Sequence, residues 1–528
     1  MTHLTRRQAL HLGSATAGGA FVAGITAPAS AVGPTPDLPP NPETLPAAPS
    51  PKVREFRALW IASVVNIDYP SSPTLSADAL REEFRAWLDL AVSLNLNAVI
   101  SQVRPTADAF WPSPIEPWSQ YLTGTQGRDP GFDVLAFQIE EAHKRNLEFH
   151  AWFNPYRVSM SENLDHLVPN HPARTHGWTF PYGGKTYYNP GIPEVRRLSE
   201  DAMLHAVEHY DIDAVHFDDY FYPYPVAGAD YPDRATFEQY GAPGQSIEDW
   251  RRENISTLVR EMHERIRALK PWVKFGISPF GIWRNASADP LGSATSGSQS
   301  YDIIAADTRR WVKEQWLDYI APQIYWQIGL EVADYQVLAP WWADVVRETT
   351  VSLYIGQAMY KHTSGVFSDP NELARHLDLN REHPEIQGDA YFSAVSVRGD
   401  ADGAFTRLAK RHYAHPAIIP TMPHLGGEAP ATPTGLGVRS TGSGARVRFN
   451  RLPHSGATSF AIYRVSGPRF DPAELASGTA LLATVRANEN AVRQEVTVRG
   501  VKKGEFLAVS ALDRLWNESA PSKPRRVS

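Results

Sequence analysis

The sequence predicts an α/β fold, a (β/α)8 TIM barrel followed by a small C-terminal all-β sandwich. Three observations carry that prediction. Eight short runs rich in β-branched and aromatic residues are spread over about 370 residues, as the strands of a sheet require. Between most of them lie segments with apolar residues at helical spacing. Beyond residue 425 the helical segments stop and only short alternating runs remain.

The runs fall at 55–65 (EFRALWIASVV), 97–103 (NAVISQV), 147–153 (LEFHAWF) and 213–218 (DAVHFD). They continue at 273–278 (VKFGIS), 317–325 (LDYIAPQIY), 351–358 (VSLYIGQA) and 389–396 (DAYFSAVS). The intervening ALREEFRAWLDLAVSLN, FDVLAFQIEEAHKRN and SIEDWRRENISTLVREMHERIRALK each present one apolar face. Such alternation builds parallel strands, because every helix returns the chain to the same end of the sheet. A doubly wound open sheet is the alternative, but eight repeats with no glycine-rich phosphate loop after the first strand favour closure. The barrel is therefore placed at 53–425. After the Pro/Gly/Thr linker IIPTMPHLGGEAPATPTG, the segments GARVRFNRL, SFAIYRVSG, ALLATVRA, RQEVTVRG and EFLAVSALD predict a β-sandwich over 426–528. The closing FLAVSALDRLWNESAPS resembles the last strands of a fibronectin type III module, for which an accessory role is expected.

The first 31 residues predict a signal peptide. Arg6-Arg7 precede a weakly hydrophobic Gly/Ala stretch, and Ala29-Ser30-Ala31 offers a small-residue cleavage site. The arginine pair indicates the twin-arginine route. Residues 32–52, VGPTPDLPPNPETLPAAPSPK, form a Pro-rich linker. With no cysteine after the signal, no lipid anchor is expected, and no other stretch is apolar enough to span a bilayer. A secreted, extracytoplasmic protein is expected. Its oligomeric state is left open.

Composition narrows the chemistry. The 528 residues carry a net charge of -7, which argues against a generic nucleic-acid binder. The absence of cysteine excludes disulfides, thiolate nucleophiles and Cys-ligated metals. The 18 histidines form no H-E-x-x-H or comparable cluster, and there is no G-x-S-x-G, so neither a metal nor another cofactor is expected. Fifteen Trp and 21 Tyr suit a protein that stacks flat rings on a ligand, although core packing accounts for many of them.

In a barrel of this kind the site lies at the carboxyl ends of the strands. Strand four ends in VHFDDYFYPYP. Alternation turns His216 and Asp218 inward and Val215 and Phe217 outward. Asp219 follows directly, and Tyr222 belongs to the aromatic cluster behind it. Two adjacent carboxylates repel, which makes one of them easier to protonate, the division of labour that glycoside hydrolysis uses. Other strand ends are polar too, with Arg104, Asn154, Arg157, Trp283, Arg284, Gln323, Tyr325 and Trp326 as candidate sugar contacts. Amides and guanidinium groups bond hydroxyl, acetamido or carboxylate groups, while aromatic faces meet pyranose rings. A polysaccharide partner is expected.

Taken in order, FRALWIAS, QVRPTADAFWPS, AWFNPYR, YYNPGIPEVR, VHFDDYFYPYP, GISPFGIWRN and DYIAPQIYW resemble the bacterial glycoside-hydrolase-like family ten proteins. The resemblance covers residues 53–425 approximately. It implies an exported TIM-barrel glycosidase, one relative being a cell-division-associated enzyme that cleaves peptide-free peptidoglycan strands. D-x-x-H-F-D is also similar to the strand-four pattern of α-amylase-type enzymes, which would make Asp218 the nucleophile. A chitinase-type pattern would place its glutamate on Tyr220, which carries no carboxyl group. Strand five lacks the amylase-type acid. The general acid therefore falls to Asp219, with Asp108, Asp302 and Glu331 as alternatives. The competing reading is a non-catalytic glycan-binding scaffold, from which a second carboxylate about 5–10 Å from Asp218 would distinguish an enzyme.

Overall fold

A computed structural model describes Leu45 and residues 47–528, so the expected signal peptide and most of the Pro-rich linker lie outside the described residues. Eight parallel strands close into a barrel in chain order. They are β1 (Phe56–Ile61), β2 (Ala98–Arg104), β3 (Glu148–Phe153), β4 (Ala214–Phe217), β5 (Lys274–Ile277), β6 (Tyr319–Ile320), β7 (Ser352–Ala358) and β8 (Ile386–Phe392). Seven strands lie within the predicted runs to within a residue. The eighth begins and ends earlier than 389–396, because a short helix, Ala394–Gly399, starts where the run continues.

The barrel follows from alternation. On β1, Phe56, Ala58 and Trp60 point into the interior, while Leu59 and Ile61 join the outer core beneath the helices. Large and small side chains share the narrow interior. Gly276 on β5 leaves room for the Tyr319 ring of β6, since a Cβ there would stand 2.1 Å from Tyr319 Cζ. The predicted helices form as α1 (Ala77–Ser93), α2 (Val134–Lys144) and, later in the chain, α3 (Ile247–Leu269). Ser76, Asp133 and Ser246 cap them by accepting from the Ala79, Ala136 and Asp249 N–H groups. Helix α1 buries Leu80, Phe84, Trp87, Leu88 and Ala91, one face at helical spacing.

Beyond the barrel come β9 (Thr434–Thr441), β10 (Gly444–Asn450), β11 (Ser459–Val465), β12 (Leu481–Arg486), β13 (Arg493–Arg499), β14 (Phe506–Leu512) and β15 (Arg525–Arg526). They form two antiparallel sheets, ordered β9-β10-β13 and β12-β11-β14-β15. Phe449, Phe460, Ile462, Val498, Leu507 and Val509 share one core between them. On its other face the four-stranded sheet places Ala461, Tyr463, Ala508 and Leu512 in a cluster with the barrel interior. Trp516 Nε1 donates to Glu148 Oε1 at 2.6 Å, Ser459 Oγ to Asn146 Oδ1 at 2.5 Å, and Arg514 pairs with Asp211 at 2.8 Å. These barrel partners stand where β3 and β4 begin. The all-β unit therefore floors the barrel at the end opposite the strand carboxyl ends.

Candidate active site

At those carboxyl ends lies a cleft of about 580 Å³ whose wall includes Trp60, Trp152, Asp218, Asp219, Gln323 and Tyr325. A small antiparallel sheet formed by Arg157–Ser159, Thr179–Tyr182 and Lys185–Tyr188 adds to the wall. Its turn, Gly183-Gly184, needs positive φ at both positions, which glycine adopts without strain.

The two aspartates are buried and differ in their surroundings. Asp218 accepts from Trp152 Nε1 at 3.1 Å, from Asn154 Nδ2 at 3.0 and 3.1 Å across both oxygens, and from the Tyr220 N–H at 3.1 Å. Each oxygen thus accepts two hydrogen bonds, which fills the four or so acceptor sites of a carboxylate. Burial pushes Asp218 up, while Arg157 and the N–H donors favour its charged form. Asp219 accepts from Gln323 Nε2 at 3.1 Å and makes a short contact with the Tyr224 hydroxyl. Burial first, and the Asp218 charge second, push it up to about 6. Adjacent residues of one type thus differ in their readiness to hold a proton.

Beneath the pair a polar column runs down the barrel. His216 Nε2 meets Ser278 Oγ at 2.9 Å and Trp60 Nε1 at 3.4 Å. Because Trp60 can only donate, the His216 proton belongs on Nδ1, which faces the Tyr319 hydroxyl at 2.9 Å. Burial keeps His216 neutral by holding its pKa well below the usual range. Tyr319 also meets His150 Nδ1 at 2.9 Å, and His150 Nε2 meets Glu148 Oε2 at 2.9 Å. Glu148 is paired with Lys274 and bonded by Trp516. The column therefore ends on the all-β unit.

Of the residues singled out from the sequence, the fold brings Asp218, Asp219, Arg157, Gln323 and Tyr325 to the cleft wall. Asn154 and His216 stand behind it as partners of Asp218 and Ser278. The others lie elsewhere. Arg104 is fully buried in a two-pronged ion pair with Glu116, at 2.5 and 2.7 Å, and also donates to the Asn154 and Pro155 carbonyls. Its role there is to shape the turn after β3. Tyr222 is buried under Arg251. Trp283 is buried and donates to Asp307, while Arg284 pairs with Asp289 and Asp302. Trp326 packs edge-on against Phe280.

The alternative acids also stand away from the wall. Asp108 is buried with Thr106, and burial pushes it up to about 7. Asp302 faces Arg284, and Glu331 is exposed. Trp60, Trp152, Tyr224 and the Lys185 hairpin were not singled out from the sequence. Trp60 and Trp152 follow from the alternation that oriented Asp218, since they share inward parity with Phe56 and His150. Among the described residues no group of three or more His, Cys, Asp or Glu is placed to hold a metal.

The family model described as "Glycosyl hydrolase-like 10" matches residues 55–372, well over half of the chain. The chain belongs to that family. It is 48% identical over 482 residues to the glycosyl hydrolase YngK of Bacillus subtilis (strain 168), covering 89% of this chain and 93% of that protein. It is 41% identical over 379 residues to the glycosyl hydrolase DigH of Escherichia coli (strain K12), covering 67% of this chain and 86% of that protein. Among solved structures, the glycoside hydrolase domain of PgaB from Bordetella bronchiseptica aligns with a TM-score of 0.44 at 13% identity. That alignment covers 67% of this chain and 98% of that one, and it is too loose to bear on the chemistry. The protein is a glycoside hydrolase, which sets the scaffold reading aside.

Proposed function

We propose that this glycoside hydrolase is exported and cuts bacterial cell-wall glycan, with peptide-free peptidoglycan strands as substrate and the Asp218–Asp219 pair as its catalytic groups. One observation carries the reading. Among the described residues lining the cleft, these two are the carboxylates. Breaking a glycosidic bond needs a proton for the leaving oxygen and a group that stabilises the oxocarbenium-like centre. Asp219, held at about 6, keeps a proton to give. Asp218, ringed by N–H donors that favour its charged form, supplies the negative charge.

With no third carboxylate on the wall to attack the sugar or to activate water, the substrate completes the set. The carbonyl oxygen of its 2-acetamido group attacks the anomeric carbon while Asp219 protonates the leaving oxygen. Asp218, beside it, stabilises with its negative charge the positive ring that forms. Water then opens that ring, with Asp219 taking the proton back. Trp60, Trp152 and Tyr325 supply apolar surface for the sugar rings.

Export is supported by the Arg6-Arg7 pair, the Gly/Ala stretch and Ala29-Ser30-Ala31, and among the described residues no helix is long and apolar enough to cross a membrane. The all-β unit is read as a fibronectin type III-like sandwich, supported by its three- and four-stranded sheets and shared core. The test is digestion of purified glycan strands stripped of their peptides. The protein is expected to shorten them and Asp218→Asn to leave them intact. Equal cleavage by both would exclude Asp218 from the chemistry.

A further inference from the structure

Two cations border the cleft without a close ion pair. Lys185 and Arg157 both belong to its wall. The fully buried Arg104 and Lys274 are paired closely, with Glu116 and Glu148. Arg157 instead donates from Nε to the Pro105 carbonyl at 3.1 Å and lies 5.1 Å over the Tyr220 ring. It feels Asp218 only at longer range. Lys185 forms no ion pair with any described carboxylate, and burial together with Arg157 pushes its pKa down to about 8. A half-buried ammonium without a counter-ion is a standing cost, which an incoming anion relieves.

The ammonium is also held in place. Lys185 is the first residue after the Gly183-Gly184 turn. The Gly184 N–H donates to Glu162 Oε1 at 3.1 Å, and Tyr182 ties the hairpin to the 226–229 loop through two 2.9 Å hydrogen bonds. The cation is therefore presented by an anchored element, and little ordering remains to be done when an anion arrives.

We infer that Lys185 and Arg157 form a subsite for a carboxylate carried by a sugar next to the scissile bond. This inference rests on the proposed glycan and specifies what is read on it. On a peptide-free strand the lactyl ether of each muramic residue ends in a free, negatively charged acid. On a peptide-bearing strand the same carbon is a neutral amide. A lysine–arginine pair favours the first with charge-assisted hydrogen bonds and, facing the second, is left unpaired in a partly desolvated wall. The cations thereby select strands from which the peptides have been removed.

The experiment compares peptide-free strands with the same strands after their lactyl acids are coupled to methylamine, a change that removes the charge and adds little bulk. Cleavage and calorimetric binding are measured in parallel on the full-length protein, Lys185→Ala and Lys185→Arg, with thermal melting to confirm folding. The parent is expected to favour the free acid in kcat/KM by about 10- to 100-fold. Lys185→Ala is expected to collapse that ratio, and Lys185→Arg to keep most of it. Equal handling of the two strands by the parent, in both cleavage and binding, overturns the subsite. So does an undiminished ratio in a folded Lys185→Ala. If neither strand is cut but the free acid binds better, the proposed reaction fails and the subsite stands.

Discussion

At the scale of single residues, the site turns on how differently two neighbouring aspartates are treated. Asp219 needs its proton to act as an acid, so kcat/KM is expected to fall as pH rises through about 6, and a pH profile checks this. Asp219→Asn should lower kcat by about 10²–10⁴-fold, as removal of a general acid does. The same shift has a consequence for stability. Between the ordinary value of 3.8 and about 6, folded Asp219 binds more proton than the unfolded chain does, so stability declines as pH rises across that window. Asparagine removes that decline. At pH 7 the inactive variant is therefore expected to melt at a higher temperature than the parent, and a lower melting temperature would contradict the buried acid. Trp152→Phe keeps the ring but removes one donor to Asp218, and a drop in kcat of about tenfold is expected from steady-state kinetics.

At the scale of elements, what the sequence disclosed follows from which signals are local. The strands were legible because each run is short, β-branched and bounded by helical periodicity. The Asp pair was legible because it closes one of those runs. Trp60 and Trp152 obey the same parity and were available to the same reasoning. Arg104, Tyr222, Trp283, Arg284 and Trp326 were drawn to the site by position alone. Glu116, Asp289 and Asp307 stand further along the same connections, Arg251 lies on α3, and Phe280 comes from another strand end, and a single chain read in order does not show which side chains meet. The hairpin that carries Lys185 lies within a long connection, although TFPYGGKTYY holds a Gly-Gly pair between β-prone residues. Its turn is sensitive. A Cβ at Gly183 would come within 2.9 Å of Val226 at a φ of 59°. Gly183→Val should therefore loosen the hairpin, destabilise the protein by about 1–3 kcal/mol and raise KM, as melting and kinetics would report.

At the scale of the whole molecule, the barrel and the all-β unit share one buried cluster, and a polar column links the floor to the strand ends above. Trp516 is 6% exposed, packs into that cluster and bonds Glu148 at the base of the column. Trp516→Ala is expected to cost about 3–5 kcal/mol in denaturant unfolding, the range for a lost core aromatic. Because the unit lies opposite the cleft, KM for glycan should change little in that variant while it remains folded.

The chemistry of the pair is tested most directly by the stereochemistry of the product. Proton NMR of the first-formed reducing end, recorded before mutarotation, reads its anomeric configuration. Attack by the substrate's own acetamido group followed by water inverts the anomeric carbon twice, so the configuration of the cleaved bond is expected to be retained. An inverted product would require a carboxylate poised to activate water on the far face of the sugar, and would contradict a site built on Asp218 and Asp219 alone.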